Sequence, residues 1–268
     1  MKISASSKKE KITPSLGVIA AYRWEVAFLL GRNNLIERLG DQTFLVRLQD
    51  TFAVLAISGP GPQNAFQMAC QLAQKFQLKA LLSIGFAGAL DDVLLPGDIV
   101  LADRVIDTET YTVFPCQSDL LPIPTAHRGI LLSTPGVIGS VEEKRRLRAA
   151  WQALAVDMEA SAVARAASAA HLAFGSVKAI TDSASQSISI DFPMGQREHE
   201  GLSTFRVVRN GLRSWQGMKG LWSLGAGARL AAKNLAQALS WAESTRKMVA
   251  QPSNRIYRPR RIANHRRS

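Results

Sequence analysis

Apolar residues recur along the first 184 positions in short runs that alternate with stretches of helical spacing. Residues 16–22 (LGVIAAY) form an apolar, partly β-branched run that leads through WEVAFLLGR into a predicted helix. Residues 44–50 (FLVRLQD) and 51–59 (TFAVLAISG) read as a hairpin pair. Gly59, Pro60, Gly61 and Pro62 then make a tight turn into a helix expected over about 64–77. The run KALLSIGFAGAL, residues 79–90, predicts a buried strand in which Gly85 and Gly88 let the backbone approach another group closely. DIVLADRVI supplies a further strand, opened by the turn residues LPGD. Residues 107–140 are rich in Pro and Ser and are expected to form a long excursion beside the sheet. Residues 141–151 (VEEKRRLRAAW) predict a helix. AVDMEASAVARAASAAHL predicts a strand end followed by an Ala-rich helix, and FGSVKAITDSA a last strand that ends in a polar turn.

Alternating β and α elements with polar turns at the strand ends imply an α/β fold. The expectation is a single mixed, largely parallel sheet flanked by helices, with a site along its carboxyl edge. Residues 1–14 are expected to be a disordered tail and 15–204 the α/β domain, with 184–204 a mobile loop. Residues 205–250 are expected to form basic amphipathic helices, and 251–268 a disordered basic tail.

Charge sharpens that division. The net charge is +12, yet residues up to 200 carry 19 Lys and Arg against 20 Asp and Glu, whereas the remainder carries 14 against 1. Only Cys70 and Cys116 are present, which excludes a disulfide framework or thiolate metal site. The charged N-terminal stretch lacks the apolar core of a secretion signal. The longest uncharged window, residues 51–74, is broken by SGPGPQN. A cytoplasmic enzyme without a transmembrane helix is the expectation. His127, His171, His199 and His265 have no ligand spacing, so no metal is implied.

Four polar turns each close an apolar run: Glu25, the SGPG turn at 58–61, VDMEA at 156–160 and AITDSA at 179–184. Each has an ordinary explanation. Glu25 reads as a solvated acid at a helix start, Glu159 as a buried acid satisfied by backbone amides, and Asp182 as an N-cap or Asx-turn residue. Their combination is more specific. In order, GVIAAYRWEV, SGPGPQNA, SIGFAGAL, LPGDIVLAD, AVDMEASAVA and KAITDSA resemble the nucleoside phosphorylase superfamily. The nearest branches are the methylthioadenosine/S-adenosylhomocysteine nucleosidases and the hopanoid-associated nucleoside phosphorylases.

The resemblance implies cleavage of the bond between a purine and its ribose. Asp182 matches the acid that protonates the purine, and Glu25 the acid that activates water. Glu159 matches the acid that binds the ribose hydroxyls, and Met158 the residue that packs on the sugar. Lys178 stands where the nucleosidases often have Arg and is expected to orient Glu25 or the nucleophile. Ser58, Gly59, Phe86, Ala87, Gly88 and Thr181 complete the expected substrate-binding set. No cofactor is implied, and phosphate enters only as a co-substrate if the enzyme is a phosphorylase. Phe86 and Ser83 stand where the bacterial purine phosphorylases place phosphate-binding groups, which favours water. Phosphate held by the SGPG amides with Lys178 or Arg23 is the alternative.

The implied partner is a small nucleoside, with an adenine base and an apolar 5′ substituent, methylthio or hopane-like. Phe205, Val208, Leu212, Trp215, Lys219 and Trp222 fall at helical spacing among Arg206, Arg209 and Arg213. That pattern fits a peripheral membrane contact through 205–268 or a core helix with a solvated basic face. No nucleic-acid module accompanies the basic tail, so none is expected to bind. A homo-oligomer follows from family habit, with 107–140 as the contact surface. The competing class is a non-catalytic nucleoside-binding protein on the same fold.

Overall fold

The computed structural model describes residues 13–117, 119–188 and 225–249, with side chains of the last helix described to 240. Among the described residues ten strands form one mixed sheet in the order β10-β6-β8-β9-β5-β1-β4-β3-β2, with β7 (Val113–Pro115) pairing on β6. Strand β1 (Leu16–Ala20) is buried at every position and lies parallel between β4 (Thr51–Ile57) and β5 (Ala80–Ala89). A continuous apolar run is what a strand covered on both faces requires. The hairpin is present as β3 (Thr43–Leu48) against β4, and β2 (Leu35–Arg38) adds an antiparallel edge.

At the other side the sheet closes on itself. Strand β10 (Ala173–Asp182) pairs parallel with β5 and antiparallel with β6 (Ile99–Asp107). Strands β8 (His127–Ser133) and β9 (Ala155–Asp157) complete the ring back to β5. The expected excursion at 107–140 is therefore corrected. It contains β8, an interior strand parallel to both neighbours, whose Leu131 and Leu132 are fully buried. The Pro- and Ser-rich flanks conceal a strand only seven residues long.

Helices cover both faces. Helix α1 (Pro62–Lys75) starts with Pro at its first turn after Gly61 at φ +94, and it buries Ala65, Ala69 and Leu72. It packs against α3 (Ala160–Ala169), where a run of alanines brings the helix axis close to the sheet. Helix α2 (Val141–Trp151) is capped by Ser140, whose side chain accepts from the amide of Glu143. Helix α4 (Gly225–Val249) covers the opposite face with Ala231, Leu235, Ala238 and Leu239. At its start Gly227 lies against the carbonyl of Thr181, and Asn234 donates to the carbonyl of Gly97 at 2.9 Å.

Among the described residues no helix is long and apolar enough to cross a membrane. Of residues 205–268, expected to make the membrane contact, 205–224 and 250–268 lie outside the described residues, as do 189–204 of the expected loop and 1–12 of the expected N-terminal tail.

Candidate active site

Glu25 sits in the turn after β1, where the amide of Tyr22 donates to its Oε2 at 2.9 Å. It is 6% exposed and leans over β5, where a Cβ at Gly85 would stand 3.0–3.2 Å from its carboxylate. Glycine is needed there for that close approach. Asp182 ends β10. The β5–β10 register slips between Ile180 and Asp182, and such a bulge re-aims the side chain that follows it. Opposite it stands Gly88, where a Cβ would meet Asp182 Oδ2 at 3.1 Å. Gly85 and Gly88 are three residues apart on one strand, roughly 10 Å at their Cα atoms.

Strand β9 hands over to α3 at Asp157, Met158 and Glu159. Asp157 is buried, and its Oδ2 accepts from the amide of Ala160 at 3.0 Å, in the positive first turn of α3. Glu159 Oε1 accepts from the amide of Gly61 at 2.8 Å, which ties the acid to the SGPG turn. Lys178, on β10 and 3% exposed, donates to Ser83 Oγ at 2.9 Å and forms an ion pair with Asp157 at 2.8 Å.

These groups surround one pocket of about 130 Å³, and it holds Glu25, Asp157, Glu159 and Asp182 in its wall. Tyr22, Trp24 and Phe86 form an aromatic side, with ring centroids 5.8 and 4.9 Å apart in sequence. Val137, Ile138, Met158 and Ile188 add aliphatic surface.

The electrostatics follow from this crowding. Burial raises Glu25 from 4.5 to about 7; the Tyr22 amide and Lys178 oppose the rise and Glu159 adds to it. Glu159 also rises to about 7, through burial first and then through Asp157. Burial alone would pull Lys178 down, but Asp157, Glu159 and Glu25 outweigh it and hold the ammonium above the ordinary lysine value. One buried cation thus serves three acids.

Of the residues singled out from sequence, Glu25, Phe86, Ala87, Gly88, Met158, Glu159, Thr181 and Asp182 line this pocket together. Ser58, Gly59 and Lys178 do not. Pro60 lines the pocket from the SGPG turn, and Lys178 pairs with Asp157. Lys178, expected to orient Glu25 or the nucleophile, makes no hydrogen bond to Glu25 and does not line the pocket. Its hydrogen bonds go to Ser83 and Asp157, and Glu25 feels it only as a nearby charge.

Sequence reasoning missed three parts. Asp157 lies within VDMEA, and the sequence alone assigns it no role. Residues 134–138, placed in the excursion, contribute Thr134, Gly136, Val137 and Ile138 to the wall. Lys144 on α2 is 0% exposed and pairs with Asp182 Oδ2 at 2.5 Å. A signal for it existed. Lys144, Leu147 and Trp151 share the apolar stripe of α2, so helical spacing alone would turn that lysine inward.

The chain is similar to known proteins in sequence and in fold. A family model described as the Phosphorylase superfamily matches residues 15–119 and 116–210. The chain is 27% identical over 205 residues to a 5′-methylthioadenosine/S-adenosylhomocysteine nucleosidase from Staphylococcus aureus, covering 66% of this chain and 90% of that one. Its fold is shared with an S-adenosylhomocysteine nucleosidase from Streptococcus pyogenes, at a TM-score of 0.61 and 21% identity over 87% of this chain and 97% of that one. It is also shared with a futalosine hydrolase from Helicobacter pylori, at a TM-score of 0.55 and 18% identity over 64% of this chain and 88% of that one.

Proposed function

The chain belongs to the Phosphorylase superfamily, and from that membership we propose that it hydrolyses the N-glycosidic bond of a purine nucleoside, with adenine as the base. The observation that carries this reading is one pocket with acids at two separated places. Asp182 lies against Gly88, Glu25 lies against Gly85 and feels the charge of Glu159, and aromatic and aliphatic side chains share the lining. Breaking the bond places positive charge on the sugar and negative charge on the base, so the reaction needs a proton donor at the base and anionic groups at the sugar.

In this reading Asp182 gives its proton to a ring nitrogen of the base as the bond electrons move there. Glu159, steadied by the Gly61 amide, accepts from the ribose hydroxyls, and Met158 packs on the sugar. Glu25 takes a proton from water as the water oxygen bonds to the sugar carbon. With a carboxylate brought to about 7, Glu25 is well matched to a base that works near neutral pH.

Charge favours water over phosphate. The groups that could bind phosphate are engaged: the amides of Ser58, Gly59 and Gly61 donate to Ala20 O, Ala21 O and Glu159 Oε1. Lys178 is held by Asp157, and Arg23 lies over the Phe44 ring with its guanidinium carbon 4.9 Å from the centroid. A dianion would also meet Glu25, Asp157 and Glu159. The relatives that act on methylthioadenosine and S-adenosylhomocysteine, and the apolar wall, support a 5′-substituted adenosine.

The test is direct. Purified protein is given methylthioadenosine, S-adenosylhomocysteine and an adenosine with a long apolar 5′ substituent, with and without phosphate. Adenine and a free sugar are expected, at a rate independent of phosphate. A sugar 1-phosphate as the product would reject hydrolysis, and silence on every nucleoside would favour a non-catalytic binding protein.

A further inference from the structure

Among the described residues Lys144 is the largest buried polar group that the proposed chemistry leaves without work. It comes from α2, an element otherwise outside the pocket, and it lies behind Asp182 with no place in the pocket wall. Its Nζ makes three contacts, all to one segment: Asp182 Oδ2 at 2.5 Å, Ser183 O at 2.8 Å and Gln186 O at 2.9 Å. Three donors meeting three acceptors satisfy an ammonium completely. The same segment continues to Ile188, whose amide donates to Gly139 O and whose side chain lines the pocket.

The other oxygen of Asp182 has a partner that can change roles. Thr181 Oγ1 lies 2.7 Å from Asp182 Oδ1 and 3.3 Å from the carbonyl of Ala87. Its single proton serves one of them at a time. When the hydroxyl donates to Ala87, its lone pairs face Oδ1, and that oxygen can carry a proton of its own.

From this geometry, and resting on the nucleosidase reading above, we propose that Lys144 is a positioning residue for bond cleavage. It fixes the Asp182 carboxyl at the pocket wall and stands opposite the negative charge left there when the proton has gone to the base. The steps balance. The bond from sugar carbon to base nitrogen breaks with its electron pair on the base. Asp182 passes one proton to a ring nitrogen, and its carboxylate then faces the Lys144 ammonium. Water adds to the sugar carbon and gives a proton to Glu25. Lys144 itself neither touches substrate nor exchanges a proton. Lys144 from α2 pairs with Asp182, and Asp157, Glu159 and Glu25 share the pocket lining with it.

A role exerted through Asp182 differs from one that merely supports the fold, because it disappears when the leaving group needs no proton. K144M, K144R, D182N and K144M/D182N are compared with the parent chain on methylthioadenosine and on 4-nitrophenyl riboside, whose nitrophenolate departs unaided. Adenine release is expected to fall about 100-fold in kcat in K144M with KM little changed, and to recover in part in K144R. Nitrophenol release by K144M should stay close to that of the parent chain, and K144M should add no further loss to D182N. Melting curves for all variants accompany the kinetics, and the double variant, which removes both charges, serves if K144M alone does not fold. Equal losses on both substrates, or losses that multiply in the double variant, overturn the positioning role. A parent chain that cleaves neither substrate instead overturns the nucleosidase reading on which it rests.

Discussion

Replacing Lys178 by Met removes the cation that Asp157, Glu159 and Glu25 share while keeping the side-chain volume. Lys178 and Asp157 are 3% and 6% exposed and 2.8 Å apart, so the substitution strands a buried carboxylate whose remaining Oδ2 partner is the Ala160 amide. Breaking a buried pair from one side costs about 3–5 kcal/mol, against about 0–1 kcal/mol for a pair in solvent. For a domain of this size each kcal/mol moves the midpoint by roughly 2–4 °C, so K178M should melt on the order of 10 °C below the parent chain. The assay is thermal unfolding by circular dichroism. D157N/K178M should recover most of the loss, because no uncompensated charge remains between the pair. Activity adds a second readout. Lys178 holds Glu25 down, so its removal should move the acidic limb of turnover to higher pH. A K178M midpoint within about 2 °C of the parent chain, or a double variant no better than K178M, would refute the buried-pair reasoning.

Glu25 gives a pH signature of its own. Its ordinary value of 4.5 rises to about 7 on folding, so the folded chain binds that proton more tightly than the unfolded one. The stability it contributes is full below 4.5 and is lost as pH rises to about 7, by about 3 kcal/mol. Denaturation of E25Q across that range should lack this component, and the parent chain's turnover should fall below about pH 7, where the base takes up its proton. Gly88→Ala places a methyl group 3.1 Å from Asp182 Oδ2. Displacing the acid by a few tenths of an ångström should lower kcat by about 10-fold or more with little change in melting, as steady-state kinetics will show. Gly227→Ala meets the Thr181 carbonyl oxygen at 2.1 Å, so α4 must shift away from β10. A loss of about 1–3 kcal/mol in urea unfolding is expected, together with reduced turnover because Thr181 and Asp182 lie above that contact.

The run of apolar segments was enough to determine an α/β fold, because strands covered on both faces and helices with one apolar stripe leave different spacings in the chain. It also located Glu25, Glu159 and Asp182, since each ends an apolar run and polar side chains at strand ends face a common edge. Local pattern could not reveal how the sheet closes. Strand β10 pairs with both β5 and β6, and β8 enters the interior from a Pro- and Ser-rich stretch, because strand pairing joins residues distant in sequence. The partners of the acids were equally hidden. Lys178 turned to Asp157, 21 positions away, and Lys144 to Asp182, 38 positions away, since a buried charge takes whichever opposite charge the fold brings within reach. Sequence determined which acids the chain possesses and which elements carry them. Only tertiary structure decided which acids share a pocket and which cation each one meets, because both depend on distances set by packing between elements.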